Sequence, residues 1–144
     1  MKKIIFILML STIVFISGCG ILEETQNTLN YATEATEYVN EMSTYGEEVQ
    51  SLLNEGNVDI AEVETTLTEL EGTVEEFNKI EVPAIAEGIH NDILANNEKL
   101  LDMINQVQEN GEIAIDELKN SEIFQTIESI TNFMNQIEQL GFES

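Results

Sequence analysis

Residues 31–52 read YATEATEYVNEMSTYGEEVQSL, and the spacing of their apolar side chains decides the fold. The apolar positions follow one another at alternating steps of four and three residues. Such steps place side chains on one stripe of an α-helix, whereas a β-strand would need strict alternation. The stripe consists of Tyr31, Ala35, Tyr38, Met42, Tyr45, Val49 and Leu52. The segment is therefore predicted to be an amphipathic helix with one face to bury.

Three further segments have the same helical spacing of apolar residues. They are the stripes Ile60, Val63, Leu67, Leu70, Val74 and Phe77; Ala86, Ile89, Ile93, Leu100, Ile104 and Val107, with Asn97 at one polar step; and Ile123, Ile127, Ile130, Met134 and Ile137. A helix with one apolar stripe buries it against other helices. The sequence therefore predicts an all-α fold, an antiparallel bundle of three to four helices near 22–54, 59–79, 84–109 and 121–140.

The predicted helices are separated by residues that typically begin or end helices. Asp59 can accept hydrogen bonds from the first turn of the second helix. Pro83 fits a first helical turn, and it pushes Val82 towards extended geometry. Asn110-Gly111 is typical of a helix C-terminus, and Ser121 can cap the last helix. These boundaries agree with the limits of the apolar stripes.

The N-terminal segment has the three parts of a secretory signal. Lys2 and Lys3 supply a positive start, residues 4–16 are an almost continuous apolar run, and small residues precede Cys19. Thirteen helical residues span about 20 Å, short of the hydrocarbon core of a membrane, which is roughly 30 Å thick. Residues 1–18 are therefore predicted to be a signal peptide, and residues 19–144 an acidic helical-bundle domain.

The residues Ile16-Ser17-Gly18-Cys19 resemble the lipobox of bacterial lipoproteins. In such proteins the cysteine thiol receives a diacylglyceryl group, and cleavage makes that cysteine the new N-terminus. Two acyl chains, at about 0.8 kcal/mol per buried methylene, form a durable anchor. We therefore expect lipidation at Cys19 to hold the bundle on the extracytoplasmic face of the cell membrane. An uncleaved helical anchor would give the same topology.

The charge of the chain restricts its partners. It contains 28 acidic residues, five lysines and no arginine, and removal of residues 1–18 would leave a formal charge of −25. Nucleic-acid binding is not expected, because affinity for phosphates comes from lysine and arginine. The charge favours a basic protein or peptide, or a cation, as partner. The alternative is that the carboxylates only keep the surface solvated.

Tyr31, Tyr38 and Tyr45 repeat every seven residues and lie on one side of the first predicted helix. Tyrosine can bury its ring and keep its hydroxyl near water. Two interpretations follow from this stripe. The three rings can belong to the edge of the core, or they can line a groove for a partner helix or peptide.

The sequence contains no recognisable catalytic arrangement. His90 is the only histidine, Cys19 is the expected lipid site, and arginine is absent, so triads and phosphate clamps lack parts. Glu87 and His90 have the spacing of one di-iron ligand pair, but a full set needs a second such pair. We therefore expect no cofactor, no metal and no enzymatic activity, and a surface or interhelical hydrogen bond for His90.

Several stretches resemble a family of small lipoproteins of Gram-positive bacilli that has no assigned activity. Besides the lipobox, they are residues 27–31 (NTLNY), 38–41 (YVNE), Phe77-Asn78, 82–86 (VPAIA) and His90. The resemblance covers most of the chain after Cys19. It implies an envelope location and a helical fold, and it implies no mechanism.

These observations lead to one functional hypothesis and one alternative. The hypothesis is a membrane-anchored cell-envelope lipoprotein that acts as a non-catalytic module for binding a protein or peptide. The alternative is a lipoprotein that binds a small ligand or a cation in a pocket between its helices.

Overall fold

In a computed structural model, the chain forms a bundle of α-helices. The structure describes the backbone of residues 2–54, 58–108 and 114–142, and the side chains of these segments between residues 23 and 141. The helices are α1 (Lys2–Asn54), α2 (Ile60–Phe77), α3 (Glu87–Val107), α4 (Ile115–Asn120), α5 (Ile123–Thr131) and α6 (Met134–Phe142), with a 3-10 helix at Ala84–Ala86. These segments contain no β-strand, which confirms the predicted all-α class.

The N-terminal helix α1 is longer than predicted. Its backbone runs from Lys2 to Asn54 and passes through the expected cleavage site without a break. The side chain of Cys19 lies outside the described part of the chain. Among the described residues, no helix combines the length and the apolar character needed to cross a membrane.

The observed helix boundaries explain how the second and third helices begin. Asp59 accepts hydrogen bonds from the backbone N–H groups of Ala61 and Glu62, at 3.0 and 3.3 Å, which confirms its predicted capping role. Pro83 precedes the 3-10 helix, where the N–H of Ala86 donates to its carbonyl. The predicted C-terminus at Asn110-Gly111 lies outside the described residues.

The predicted helix over 121–140 is divided into α5 and α6, so this part of the prediction is wrong. After Thr131 the backbone makes a tighter turn, in which the N–H of Phe133 donates to the carbonyl of Ile130 at 3.1 Å. Helical bonding resumes when the N–H of Ile137 donates to the carbonyl of Phe133. Ser121 lies two residues before α5, and its hydroxyl accepts only a long bond of 3.4 Å from the N–H of Ile123.

Contacts between α1 and α3 fix their relative direction. The hydroxyl of Tyr31 faces His90, and the hydroxyl of Tyr38 donates to Asn97. A step of seven residues along α1 therefore matches a step of seven along α3 in the same direction. Tyr38 also stacks on Phe77 at the end of α2. Since α2 leads from the far end of α1 back to this level, it runs antiparallel to both.

The segments α5 and α6 together form the fourth side of the bundle. A Cβ atom added to Gly46 would lie 3.2 Å from Cγ2 of Ile127 in α5. One added to Gly141 in α6 would lie 4.0 Å from Cβ of Ala32. Fourteen residues along α1 thus match fourteen residues along α5 and α6 in the opposite direction. The break between α5 and α6 leaves the antiparallel register unchanged.

The core contains most of the predicted apolar stripes. Sixteen apolar positions of the first three stripes and four of the fourth are buried, and the completely buried ones include Ala35, Met42, Leu67, Leu70, Val74, Ile93, Leu100, Ile104, Ile130 and Ile137. Ile60 is an exception, because it lies in the first turn of α2 and is 51% exposed. Tyr45, Ile89 and Met134 are half-buried. The periodic pattern therefore identified the packed faces and failed mainly at a helix end.

Candidate functional site

A pair of aromatic side chains from different helices forms one end of the buried polar region. Oη of Tyr31 in α1 and Nδ1 of His90 in α3 lie 3.4 Å apart, and the two rings meet edge to face. Tyr31 is 1% exposed and His90 is 5% exposed. The only histidine of the chain is therefore an interhelical core residue, in agreement with the predicted hydrogen-bonding role.

Seven residues further along α1 and α3, three polar side chains form a hydrogen-bonded chain. The hydroxyl of Tyr38 donates to Oδ1 of Asn97 at 2.5 Å, and Nδ2 of Asn97 donates to Oδ1 of Asn78 at 2.8 Å. Asn97 is fully buried, and Asn78 lies at the exposed end of α2. Both functional ends of the Asn97 amide are therefore satisfied, which a buried amide requires.

Phe77 connects these two polar pairs. Its ring stacks on Tyr38 with a centroid separation of 4.0 Å and lies 5.2 Å from the ring of His90. We call Tyr31, Tyr38, Phe77, Asn78, His90 and Asn97 the aromatic-polar cluster. It joins α1, α2 and α3 at the end of the bundle where α2 ends. Among the described residues, no buried side-chain nitrogen or oxygen lacks a hydrogen-bond partner.

Burial changes the proton affinities in the cluster. It raises the pKa of Tyr31 to about 12 and raises the pKa of Tyr38 further. The hydrogen bond from Tyr38 to Asn97 has a smaller effect, which lowers the pKa of Tyr38. Burial lowers the pKa of His90, because the imidazolium would lose its hydration. At neutral pH all three rings are therefore uncharged.

The tyrosine stripe does not form an open groove in this structure. Tyr31 and Tyr38 are buried, at 1% and 3% exposure, and only Tyr45 is half-buried. The reason is that α3 packs opposite this face of α1 and provides His90 and Asn97 as partners for the two hydroxyl groups. For Tyr31 and Tyr38, the structure agrees with the alternative interpretation of a core seam.

A cavity lies beside Tyr31, between α1 and the connection from α2 to α3. Its volume is about 590 Å³. The lining residues are Asn27, Asn30, Tyr31 and Glu34 on α1 and Ile80, Glu81, Val82 and Pro83 on the connection. Tyr31 thus forms part of the cavity wall while its hydroxyl faces His90. We call this the α1–connection cavity.

A smaller depression of about 310 Å³ lies between α1 and α5. It is lined by Gly46, Phe124 and Ile127, with polar neighbours that include Glu47 and Glu128. It follows the close contact at Gly46, where the missing side chain lets the two helices approach. This depression contains none of the cluster residues.

The acidic side chains do not gather into a metal-binding group in the described segments. No set of three histidine, cysteine, aspartate or glutamate residues there is placed to hold a metal ion. Glu87, which precedes His90 at ligand spacing, is exposed, whereas His90 points into the core. Nζ of Lys79, in the turn after α2, lies 3.6 Å from Oε2 of Glu75 in an exposed ion pair.

Sequence reasoning did not identify Asn78 and Asn97 as interacting residues. Asn97 was recognisable as the polar step in an apolar stripe, and such a step at a core position is a signal for a buried hydrogen bond. The partner of Asn97 was not recognisable, because it depends on which residues of α1 and α2 lie at the same level. The cavity was equally hard to predict, since residues 27–34 and 80–83, which form its two walls, are far apart in sequence.

Comparison with known proteins places the chain in a family. Residues 31–140 match the family of unknown function DUF6376. A curated relative, the "Uncharacterized lipoprotein YybP" of Bacillus subtilis (strain 168), is 32% identical over 148 aligned positions, which cover 98% of this chain and 99% of the relative. No solved structure matches the chain. The resemblance to small lipoproteins of bacilli is thereby confirmed, and the chain belongs to the DUF6376 family.

Proposed function

We propose that this protein is a membrane-anchored lipoprotein of the cell envelope whose acidic helical bundle binds a protein partner. The main support for a lipid anchor is Cys19, which ends a lipobox directly after a signal-like segment. The relative from Bacillus subtilis is described as a lipoprotein, which supports the anchor. The lipid would be a diacylglyceryl group on Cys19, and the bundle would lie on the extracytoplasmic face.

The continuity of α1 supports a short and stiff connection between the anchor and the bundle. The helix runs from the lipobox to Asn54, so no irregular linker follows Cys19. Tyr31 is twelve residues after Cys19, which corresponds to about 18 Å along a helix. The aromatic-polar cluster and the α1–connection cavity therefore belong to the end of the bundle nearer the membrane. A partner at this site would itself be a membrane or envelope protein.

A binding role fits the described chemistry better than catalysis. The buried polar groups are partnered within the core, and His90 is enclosed by Tyr31 and Phe77. The remaining ionisable side chains are predominantly exposed carboxylates. Such a surface attracts positively charged partners and increases their rate of encounter. Binding of a small ligand or a cation is the second candidate, and the volume of the α1–connection cavity fits the small ligand.

The anchor is tested by the substitution Cys19→Ser. We expect the variant to lose the lipid and to appear as unprocessed precursor, or as protein released from the membrane. Ser17→Ala is the matched control, because it keeps a small residue before the cut and should be processed normally. Mass spectrometry of the N-terminal peptide and membrane fractionation give the readout. Mature-length Cys19→Ser protein in the membrane fraction would exclude lipidation at Cys19.

A further inference from the structure

The α1–connection cavity has one polar wall and one mainly apolar wall, which also contains Glu81. Asn27, Asn30 and Glu34 lie along α1, and Ile80, Val82 and Pro83 lie on the connection between α2 and α3. Its volume of about 590 Å³ falls within the range of about 300–1,000 Å³ that is typical of ligand pockets. The cavity is therefore large enough for a long side chain, and much larger than a bare metal ion needs.

The charge of the cavity selects a cationic occupant. Of its eight lining residues, Glu34 and Glu81 are carboxylates and none is basic. Lys79 is close in sequence, but its Nζ atom lies 3.6 Å from Oε2 of Glu75, so it is directed along α2. The amides of Asn27 and Asn30 add acceptors for N–H groups. Both carboxylates are exposed, so they attract a cationic occupant and repel an anionic one.

The combination of walls matches the two long basic side chains. Lysine and arginine have an apolar stem that packs against apolar surface and a charged head that stays in a polar environment. Ile80, Val82 and Pro83 are suited to the stem, and Glu34 and Glu81 to the head. A metal ion would use only the carboxylates, and no group of three suitable ligands occurs in the described segments.

We infer that the α1–connection cavity receives a lysine or arginine side chain of a basic protein partner. This inference rests on the proposed interaction role and assigns its contact point. The site lies close to the membrane, because Asn27 is eight residues after Cys19, about 12 Å along the helix. The partner segment therefore presents its basic side chain near the membrane surface.

Nuclear magnetic resonance of the full-length lipoprotein in detergent micelles tests the inference. The probe is the peptide acetyl-Gly-Lys-Gly-amide, and the control probe replaces lysine with norleucine, which keeps the stem and removes the charge. His90 is the only histidine, so its ring signals need no assignment, and its neighbour Tyr31 lines the cavity. We expect saturable shifts of the Tyr31 and His90 ring signals with the lysine peptide and none with the norleucine peptide.

Two pairs of substitutions separate the cavity from the general negative charge. Glu34→Gln with Glu81→Gln removes both carboxylates of the cavity. Glu64→Gln with Glu69→Gln removes the same charge from exposed positions on α2. We expect the first pair to weaken binding of the lysine peptide by about tenfold, and the second pair to weaken it by less than twofold. Equal effects of both pairs would show nonspecific attraction and would overturn the inference.

Other occupants give different outcomes in the same measurement. Tighter binding of n-butylammonium than of the peptide would point to a small amine and overturn a peptide partner. Displacement of the peptide by equimolar Ca²⁺ would point to a cation site and overturn it too. The Cys19→Ser fractionation reports only on the anchor. A failed anchor with intact peptide binding is thus distinguishable from a correct anchor with an empty cavity.

Discussion

The two halves of the core are built differently. In the half nearer Cys19, the aromatic-polar cluster joins α1, α2 and α3 by side-chain hydrogen bonds and ring contacts. In the other half, which we call the aliphatic half, the buried residues are mainly Met42, Val49, Leu52, Val63, Leu67, Leu70, Ile104, Val107, Ile123 and Ile127. The buried polar side chains there are threonines, and Thr66 bonds to the carbonyl of Glu62 in its own helix.

This difference suggests that the two halves have different roles, one in the stability of the bundle and the other in the alignment of its helices. Apolar contacts contribute most of the folding free energy, at about 25 cal/mol per Å² of buried apolar area, and they are not directional. Hydrogen bonds between Tyr38, Asn97 and Asn78 have fixed partners, and a shift of one helical turn would leave them unsatisfied. We therefore interpret the aliphatic half as the main source of stability and the aromatic-polar cluster as the determinant of helix alignment.

The largest expected effect tests the hydrogen bonds of the cluster. Asn97→Leu removes the acceptor for the Tyr38 hydroxyl, which then stays buried without a partner. We expect a loss of about 1–3 kcal/mol in the free energy of unfolding. Adding Tyr38→Phe removes the orphaned hydroxyl, so the double variant should be more stable than Asn97→Leu alone. Urea unfolding of both single variants and the double variant gives the coupling free energy.

Thr66→Val is the matched control from the aliphatic half. The hydroxyl of Thr66 donates to the carbonyl of Glu62, and no other helix takes part in this bond. Its removal leaves no interhelical group without a partner, so the loss should stay below about 1 kcal/mol. Additive losses in the Tyr38–Asn97 cycle, or a larger loss for Thr66→Val, would remove the distinction between the two halves.

A second, smaller effect concerns pH and His90. Burial holds the pKa of folded His90 below its ordinary value of 6.5. In the unfolded chain the ring takes up a proton near pH 6.5, whereas the folded state resists it. The stabilising effect of the neutral ring is therefore complete above pH 6.5 and is lost as pH falls towards the folded pKa. The slope cannot exceed about 1.4 kcal/mol per pH unit, the value for one proton.

The comparison with His90→Gln isolates this effect. Glutamine is uncharged over the whole range, and it can still form a hydrogen bond with Tyr31. The melting temperature of the wild type minus that of the variant should decrease as the pH is lowered from 7.5 to 5.5. Changes at the carboxylates are common to both proteins and cancel in this difference. A difference that is constant with pH would show that His90 is protonated as easily in the folded state as in the unfolded chain.

The sequence predicted the elements of the fold because helix formation leaves a local signature. The apolar stripes repeat within each helix, and residues such as Asp59 and Pro83 define boundaries within a few positions. The break between α5 and α6 was missed, because Ile130, Met134 and Ile137 continue the helical spacing across it. Since the register stays unchanged, the break leaves no trace in the periodicity.

The sequence predicted the candidate site less well, because that site depends on contacts between helices. Tyr31 and Tyr38 were recognised as a stripe, but whether a third helix covers them is not a local property. Period-seven spacing is the same for a core seam and for an open groove. Cys19 differs, since its prediction rests on a contiguous motif and needs no tertiary information.

The smallest expected effects come from two glycines inside helices of the aliphatic half. Gly72 has open space around it, since a Cβ atom there would meet no other atom within 4 Å. Alanine favours helix by about 1 kcal/mol over glycine, so Gly72→Ala should increase the free energy of unfolding by about that amount. At Gly46 a Cβ atom would lie 3.2 Å from Cγ2 of Ile127.

The gain from Gly46→Ala should therefore be smaller than the gain from Gly72→Ala. The added methyl group favours helix equally at both positions, but at Gly46 it also requires Ile127 to shift away from α1. Urea unfolding of the two variants measures this difference directly, provided that the free energy of unfolding changes with urea concentration at the same slope in both. Equal gains would mean that α1 and α5 separate at little cost, and that the aliphatic half tolerates looser packing. A smaller gain at Gly46 would instead show that close helix contact stabilises this half, where cross-helix hydrogen bonds are not the organising feature.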